Sequence, residues 1–162
     1  MKNDYMDAFF GAIRNGDAEA LEQLITAHSE LVNSKDQRGS TPLILATYYD
    51  HRDIAQLLLD HGAEVDEKDA SGNTALMGVC FKGYTELAKK LIEHGANVNE
   101  SNAMGASCLI YAATFNREEI AKLLLAHGAD INAKDARGNT ALDHAKMQGI
   151  PSLIDLLEKN GA

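Results

Sequence analysis

Four histidines, His28, His61, His94 and His127, recur at one constant interval. Imidazoles at a fixed spacing are what a metal site is built from, but this spacing argues against one. Zinc holds nitrogen ligands at about 2.0–2.1 Å, so two ligands of one ion lie within about 4 Å of each other. Groups carried on successive stacked helices sit roughly 8–10 Å apart and cannot share an ion. A histidine in the last turn of a helix has a simpler use. It hydrogen-bonds carbonyls that the helix leaves without partners and, when protonated, favours the negative end of the dipole. The expectation is a ladder of helix-end histidines, with no metal and no cofactor.

The remaining reactive residues form no catalytic set. Cys80 and Cys108 make no CxxC pair, fall in helical segments and have no base at a readable spacing. They read as small buried apolar residues in a reducing compartment, and nothing in their spacing argues for a disulfide. Glu118 and Glu119 stand beside Arg117 and Lys122, which reads as a solvated charged helix face. G-x-S-x-G, P-loop, H-E-x-x-H and G-x-G-x-x-G patterns are missing. The sequence reads as a protein that is not an enzyme.

The elements that carry these residues repeat. Asp36, Asp69, Asn102 and Asp135 open units of equal length; Gly39, Gly72, Gly105 and Gly138 follow in step. Gly62, Gly95, Gly128 and Gly161 fall on a second lattice, each followed by an alanine. A fixed period in the range of roughly 20–50 residues means a stacked array, in which each unit leans on its neighbours.

Residues 36–68 show how a unit is built. Asp36-Gln37-Arg38-Gly39 is turn chemistry. Thr41 then Pro42 opens a helix, with a hydroxyl at the N-cap and proline at N1, and the helix runs to about Tyr49. Ile54, Leu57 and Leu58 share a face of a second helix, which ends at His61-Gly62. Glu64 to Lys68 reads as an extended finger. Ala46, Val79, Ala112 and Ala145 recur at one position and let neighbouring helices approach closely. The fold class is all-α, a solenoid of about five helix-turn-helix units.

Composition narrows the partners. The formal net charge is −9 and the pI about 5.0, so nucleic acid is a poor partner. A basic protein surface suits it better. No apolar run approaches the roughly 18 residues of a spanning helix, so a membrane is not expected. The start, Met1-Lys2-Asn3-Asp4, carries an acid where a secretory signal has bases and then an apolar run. The reading is cytoplasmic.

The run Thr41-Pro42-Leu43-Ile44-Leu45-Ala46 resembles the ankyrin motif T-P-L-H-x-A, and the ankyrin period of about 33 residues is that of the lattices here. Gly95-Ala96-Asn97-Val98-Asn99 and Gly128-Ala129-Asp130-Ile131-Asn132 look like the family's G-A-D-V-N segment, as does Gly62-Ala63-Glu64-Val65-Asp66 less closely. The motif histidine is replaced by Ile44, Met77, Ile110 and Asp143, and the proline by Ala75, Cys108 and Ala141. The resemblance covers essentially the whole chain. It gives one domain over 1–162, with a capping unit at 3–35, internal units at 36–68, 69–101 and 102–134, and a second capping unit at 135–162. In the first unit the finger His28 to Asn33 is one residue longer. In the last, Glu158 takes the place of Leu59, Ile92 and Leu125, as expected of a unit with no neighbour on one side.

The resemblance also implies where a partner sits: on the concave face, lined by the ends of the first helices and the finger tips. Arg14 and Asn15, Tyr48 and Tyr49, Phe81 and Lys82, Thr114 and Phe115, and Met147 and Gln148 hold those helix ends. The chain has five tyrosines and four phenylalanines, and Tyr48, Tyr49, Phe81 and Phe115 all fall in this row, at rungs about 10 Å apart. Arg38, Met104 and Arg137 stand at finger tips. Exposed aromatics in such a strip are what interface hot spots are made of; packing on a neighbouring helix is the plain alternative. Two function classes remain. One is a monomeric module that binds a partner protein or peptide as adaptor, scaffold or regulator. The other is a homo-oligomer that buries the same row.

Overall fold

The computed structural model describes residues 2–162, with side chains from Asp4 onward. Met1 lies outside the described residues, so the reading of the first three residues is only partly covered. The described residues hold ten α-helices: α1 (Lys2–Asn15), α2 (Ala18–Ala27), α3 (Pro42–Tyr48), α4 (Arg52–Asp60), α5 (Ala75–Lys82), α6 (Thr85–Glu93), α7 (Cys108–Thr114), α8 (Glu118–Ala126), α9 (Ala141–Gln148) and α10 (Pro151–Lys159). No strand occurs among them beyond an isolated bridge between Ser101 and Ser107.

Local chemistry sets where the first helix begins in each unit from residue 36 onward. Thr41, Thr74, Ser107 and Thr140 accept, through their hydroxyls, the N–H groups of Ile44, Met77, Ile110 and Asp143 at 3.1–3.3 Å. These bonds satisfy donors that a helix start otherwise leaves open. In the last unit Asp143 reciprocates, its Oδ2 accepting the Thr140 N–H at 2.9 Å. Thus the loss of the motif histidine leaves the helix starts intact. The turns that follow the first helices need left-handed backbone. Gly16, Gly83 and Gly149 supply it in three units, while Asp50 (φ 57°) and Asn116 (φ 55°) adopt it in the other two. Asparagine and aspartate tolerate this region better than most residues.

The core is a continuous strip. Ala46, Val79, Ala112 and Ala145 are wholly buried where first helices meet, and Leu58, Leu91, Leu124 and Leu157 are wholly buried under the second helices. The first helices pack on one another along the array more closely than the second helices do. An array drawn tighter along one row curves toward it, which makes the first-helix side the inner face. Within α4, Ile54, Ala55 and Leu58 are buried; Leu57, expected beside them, is half-buried. Leu59, Ile92 and Leu125 are likewise half-buried, and Glu158 is exposed.

The fingers depart from expectation. They are hydrogen-bonded turns and irregular backbone, not extended strands. In the first unit Ser29–Asn33 forms a 3-10 helix, which absorbs the extra residue. Each finger is clasped to the next. Asn33 Oδ1 accepts the Glu64 N–H at 2.8 Å and its amide donates to Gly62 O at 3.1 Å. Asn99 does the same to Asp130 and Gly128 at 2.7 and 3.1 Å. Asp66 accepts the Asn97 N–H at 2.9 Å but has no amide to donate. Tips join as well: the Ala103 N–H donates to Ser71 O and the Ala136 N–H to Met104 O, at 3.1 and 3.0 Å.

Candidate partner-binding face

The helix-end row lies open on the inner face. Tyr48, Tyr49, Phe81 and Phe115 are 39–47% exposed, Met147 61% and Met104, at a finger tip, 67%. The rings do not stand as the isolated, evenly spaced rungs that helix packing alone would give. They gather into two groups. In the first, Tyr48 and Tyr49 meet edge to face at 5.3 Å between centroids, and Lys82 Nζ sits 4.4 Å above the Tyr48 ring. In the second, Phe81 and Phe115 meet edge to face at 4.6 Å, and Tyr111 stacks on Phe115 at 6.2 Å. Mutual packing and exposure therefore coexist. Each ring shields part of its neighbour and leaves an edge or face to solvent, an arrangement worth about 0.5–1.5 kcal/mol per pair.

The other expected residues divide. Arg38 and Met104 are exposed at finger tips, as is Arg137. Thr114 is half-buried, and its hydroxyl donates to Ile110 O at 2.8 Å, so its polar group is already engaged. Arg14 turns toward Asp36 at 3.6 Å. Gln148 is exposed beside Met147.

A concavity of about 890 Å³ opens at the N-terminal half of this face. Met6, Phe10 and Arg14 of α1, Asp36 and Arg38 of the finger, Ile44 and Tyr48 of α3, and Tyr49 just after it line it, together with Asp69. Of these, sequence reasoning placed Arg38, Tyr48 and Tyr49 among partner contacts and Arg14 among the helix ends lining the face. Met6 and Phe10, spaced by four residues along α1 with Arg14, carried a helical-face signal that could have added them. Tyr111 was also missed; it joins the row from one turn below Phe115 and receives the Asn102 amide on its hydroxyl at 2.9 Å.

Residues that could do chemistry are otherwise occupied. His61, His94 and His127 each donate Nδ1–H to the carbonyl four residues earlier, at 2.8–2.9 Å. His28 leaves the ladder: its ring lies 4.1 Å from that of Tyr5, and its Nδ1 is 3.6 Å from Glu30. Cys80 and Cys108 are free thiols with no exposed surface. Burial pushes the Cys80 thiol well above its ordinary range, which keeps it protonated and unreactive. Lys122 pairs with Glu118 and Glu119 at 3.7 and 3.4 Å on the helix surface, as expected of a solvated face. Arg117 does not belong to that face. It crosses to the preceding unit and donates through Nε and Nη2 to Phe81 O at 3.3 and 3.1 Å. Among the described residues no three histidine, cysteine or acidic side chains gather to hold a metal ion. No helix of the described residues is long and apolar enough to cross a membrane.

A family model described as ankyrin repeats (3 copies) matches residues 9–102, 65–135 and 99–162. The chain belongs to the ankyrin repeat family. Members of this family are generally protein–protein interaction modules and typically non-enzymatic. A comparison with curated proteins gives no match.

Proposed function

We propose that this chain is a non-enzymatic docking module. It holds a partner protein or peptide on its inner face, as an adaptor, scaffold or regulator. One observation carries the reading. Of the seven exposed large apolar side chains among the described residues, six lie on the helix-end row or at a finger tip; Tyr5 is the exception. Contiguous exposed apolar surface marks interaction sites. The contacts assigned to the partner are Tyr48, Tyr49, Phe81, Lys82, Thr114, Phe115, Met147, Arg38 and Met104. The module is a monomer of one domain, with capping units at 3–35 and 135–162, and acts in the cytoplasm. Its charge of −9 favours a partner with a basic surface.

The test is affinity capture from a lysate of the native organism, with wild type and a Tyr49→Ala, Phe81→Ala, Phe115→Ala variant side by side. A protein held by the wild type and lost by the folded variant is the expected result. Identical capture by both would remove the row from recognition. Self-association through the same row is separated by its signature, a mass that falls on dilution.

A further inference from the structure

This inference deepens the docking reading, and rests on it, by naming the chemical group that the groove takes. One side chain recurs at the base of every finger: Asp36, Asp69, Asn102 and Asp135. In all four, Oδ1 accepts two N–H groups of the finger turn, at 2.9–3.0 Å. A second side-chain atom remains at each, and at three of them it has a partner. Asp36 Oδ2 lies 3.6 Å from Arg14 Nη2. The Asn102 amide donates to Tyr111 Oη and to Asn73 Oδ1, both at 2.9 Å. Asp135 Oδ2 accepts from His144 Nε2 at 2.7 Å.

Asp69 differs. Among the described residues, donors meet its Oδ1 and none meets its Oδ2. The sequence explains why. Tyr111 and His144 stand nine residues after their finger residue; the counterpart for Asp69 is Gly78, where even a Cβ would touch nothing within 4 Å. Arg14 reaches Asp36 from the end of the preceding first helix; the counterpart there for Asp69 is Tyr48. Lys82, one turn beyond Gly78, is placed over the Tyr48 ring instead. The rung at Asp69 thus has the acceptor in place and no donor of its own, and it borders the same concavity as Tyr48 and Tyr49.

We propose that Asp69 anchors a cationic side chain of the partner, an arginine or lysine, which enters over Gly78 and completes this rung. The chain shows the geometry twice, in Asp36 with Arg14 and in Asp135 with His144. Charge agrees. Asp7, Asp36 and Asp69 line the concavity against Arg14 and Arg38, and Arg14 is engaged with Asp36. The tyrosine pair beside it offers ring surface to the stem or guanidinium of the incoming residue. A charge-assisted hydrogen bond in this partly dry setting fixes register as well as affinity.

The probe is a random peptide library displayed on phage and selected against the full chain. Selected peptides should share an arginine or lysine next to an apolar residue. Two variants then question the rung. Asp69→Asn keeps the finger turn, as Asn102 does at the same place. Gly78→Tyr installs the side chain that the next unit carries there. Both should keep the wild-type circular dichroism spectrum, and each should bind the selected peptide roughly tenfold to a hundredfold more weakly. Replacing the peptide's cation by glutamine should cost the same against wild type and nothing further against Asp69→Asn. No selected peptide, selected peptides without a recurrent cation, or equal affinity for wild type and Asp69→Asn would overturn the anchor. Affinity lost in the Tyr49, Phe81, Phe115 triple variant but intact in Asp69→Asn would overturn the anchor and leave the groove standing. Affinity intact in both would overturn the two together.

Discussion

In the four units from residue 36 onward, the first and second helices start in different ways; in the first unit Asp17 caps α2 through its side chain. Thr41, Thr74, Ser107 and Thr140 cap α3, α5, α7 and α9 from within, each with its own hydroxyl. His51, Tyr84, Arg117 and Ile150 stand at the starts of α4, α6, α8 and α10 and make no side-chain cap. Two of them face backwards instead. His51 Nε2 approaches Arg14 O at 3.3 Å, and Arg117 donates to Phe81 O. The inner row is fixed unit by unit and packs closely; two starts in the outer row are tied to the unit that precedes them. That division suits a docking face. The helices that carry the aromatic row are set by local bonds, so the proposed groove would be formed before a partner arrives, which would lower the ordering cost of binding.

The finger turns give the largest expected effect on this comparison. Gly72 and Gly105 hold φ of 79° and 72°, and a Cβ would stand 3.0 and 2.9 Å from the backbone nitrogens of Ala103 and Ala136 in the next finger. Gly72→Val should therefore cost about 3 kcal/mol or more, from strain and collision together. Gly95→Ala, at a φ of 89° with nothing within 4 Å of the added carbon, should cost only about 1–2 kcal/mol. Urea midpoints measure both. Equal losses would mean that the approach of neighbouring fingers is not what constrains Gly72.

Caps come next. Thr74→Ala should lose about 1–2 kcal/mol, because the cap is buried and leaves the Met77 N–H without its partner. Arg117→Ala should lose under about 1 kcal/mol of stability, since its bonds to Phe81 O are solvent-exposed. A reversed order would show that the outer row, not the inner, sets the array.

Finger clamps should matter less still. Lys35 pairs with Glu67 and Lys68 with Glu100, at 3.1 and 2.9 Å, and each lysine also donates to the next finger's carbonyl, at 3.1 and 3.0 Å. Ser101 takes the lysine's place in the third finger, so the clamp ends there. Lys68→Ala should cost up to about 1 kcal/mol and less at high salt.

The smallest effect is one of pH. The Asn139 N–H, and then His144, hold the Asp135 carboxyl below its ordinary range; the Thr140 N–H and hydroxyl do so for Asp143. Carboxylates depressed by folding stabilise the protein above their unfolded pKa of about 3.9, and that contribution is lost as pH falls through the folded values. The urea midpoint should drop below about pH 4, and less steeply in an Asp135→Asn, Asp143→Asn variant. Parallel curves would place the acid sensitivity elsewhere.

The same division explains what the sequence could tell. Thr41-Pro42, the glycine lattices and the period act locally or repeat, so the helix starts and the stacked fold could be read directly. The helix-end row was singled out by the resemblance to ankyrin repeats, which names that position in every unit. The clasps of Asn33 and Asn99 and the reach of Arg117 to Phe81 O join residues 29–36 apart. Nothing local marks such pairs, so Arg117 read as part of a charged surface. The spacing of the rings was misjudged for a related reason. Helix axes set a rung distance of about 10 Å, but side chains lean toward one another, and Phe81 and Phe115 close it to 4.6 Å.

The most direct test measures the Tyr49→Ala, Phe81→Ala, Phe115→Ala variant twice, by urea unfolding and by calorimetric titration with the captured partner. The expected result is an unfolding free energy lowered by about 1.5–4.5 kcal/mol, the worth of the three ring pairs it breaks, together with a loss of several kcal/mol in binding. A variant that binds its partner as tightly as wild type while losing most of its stability would contradict the account, because the row would then be packing rather than recognition.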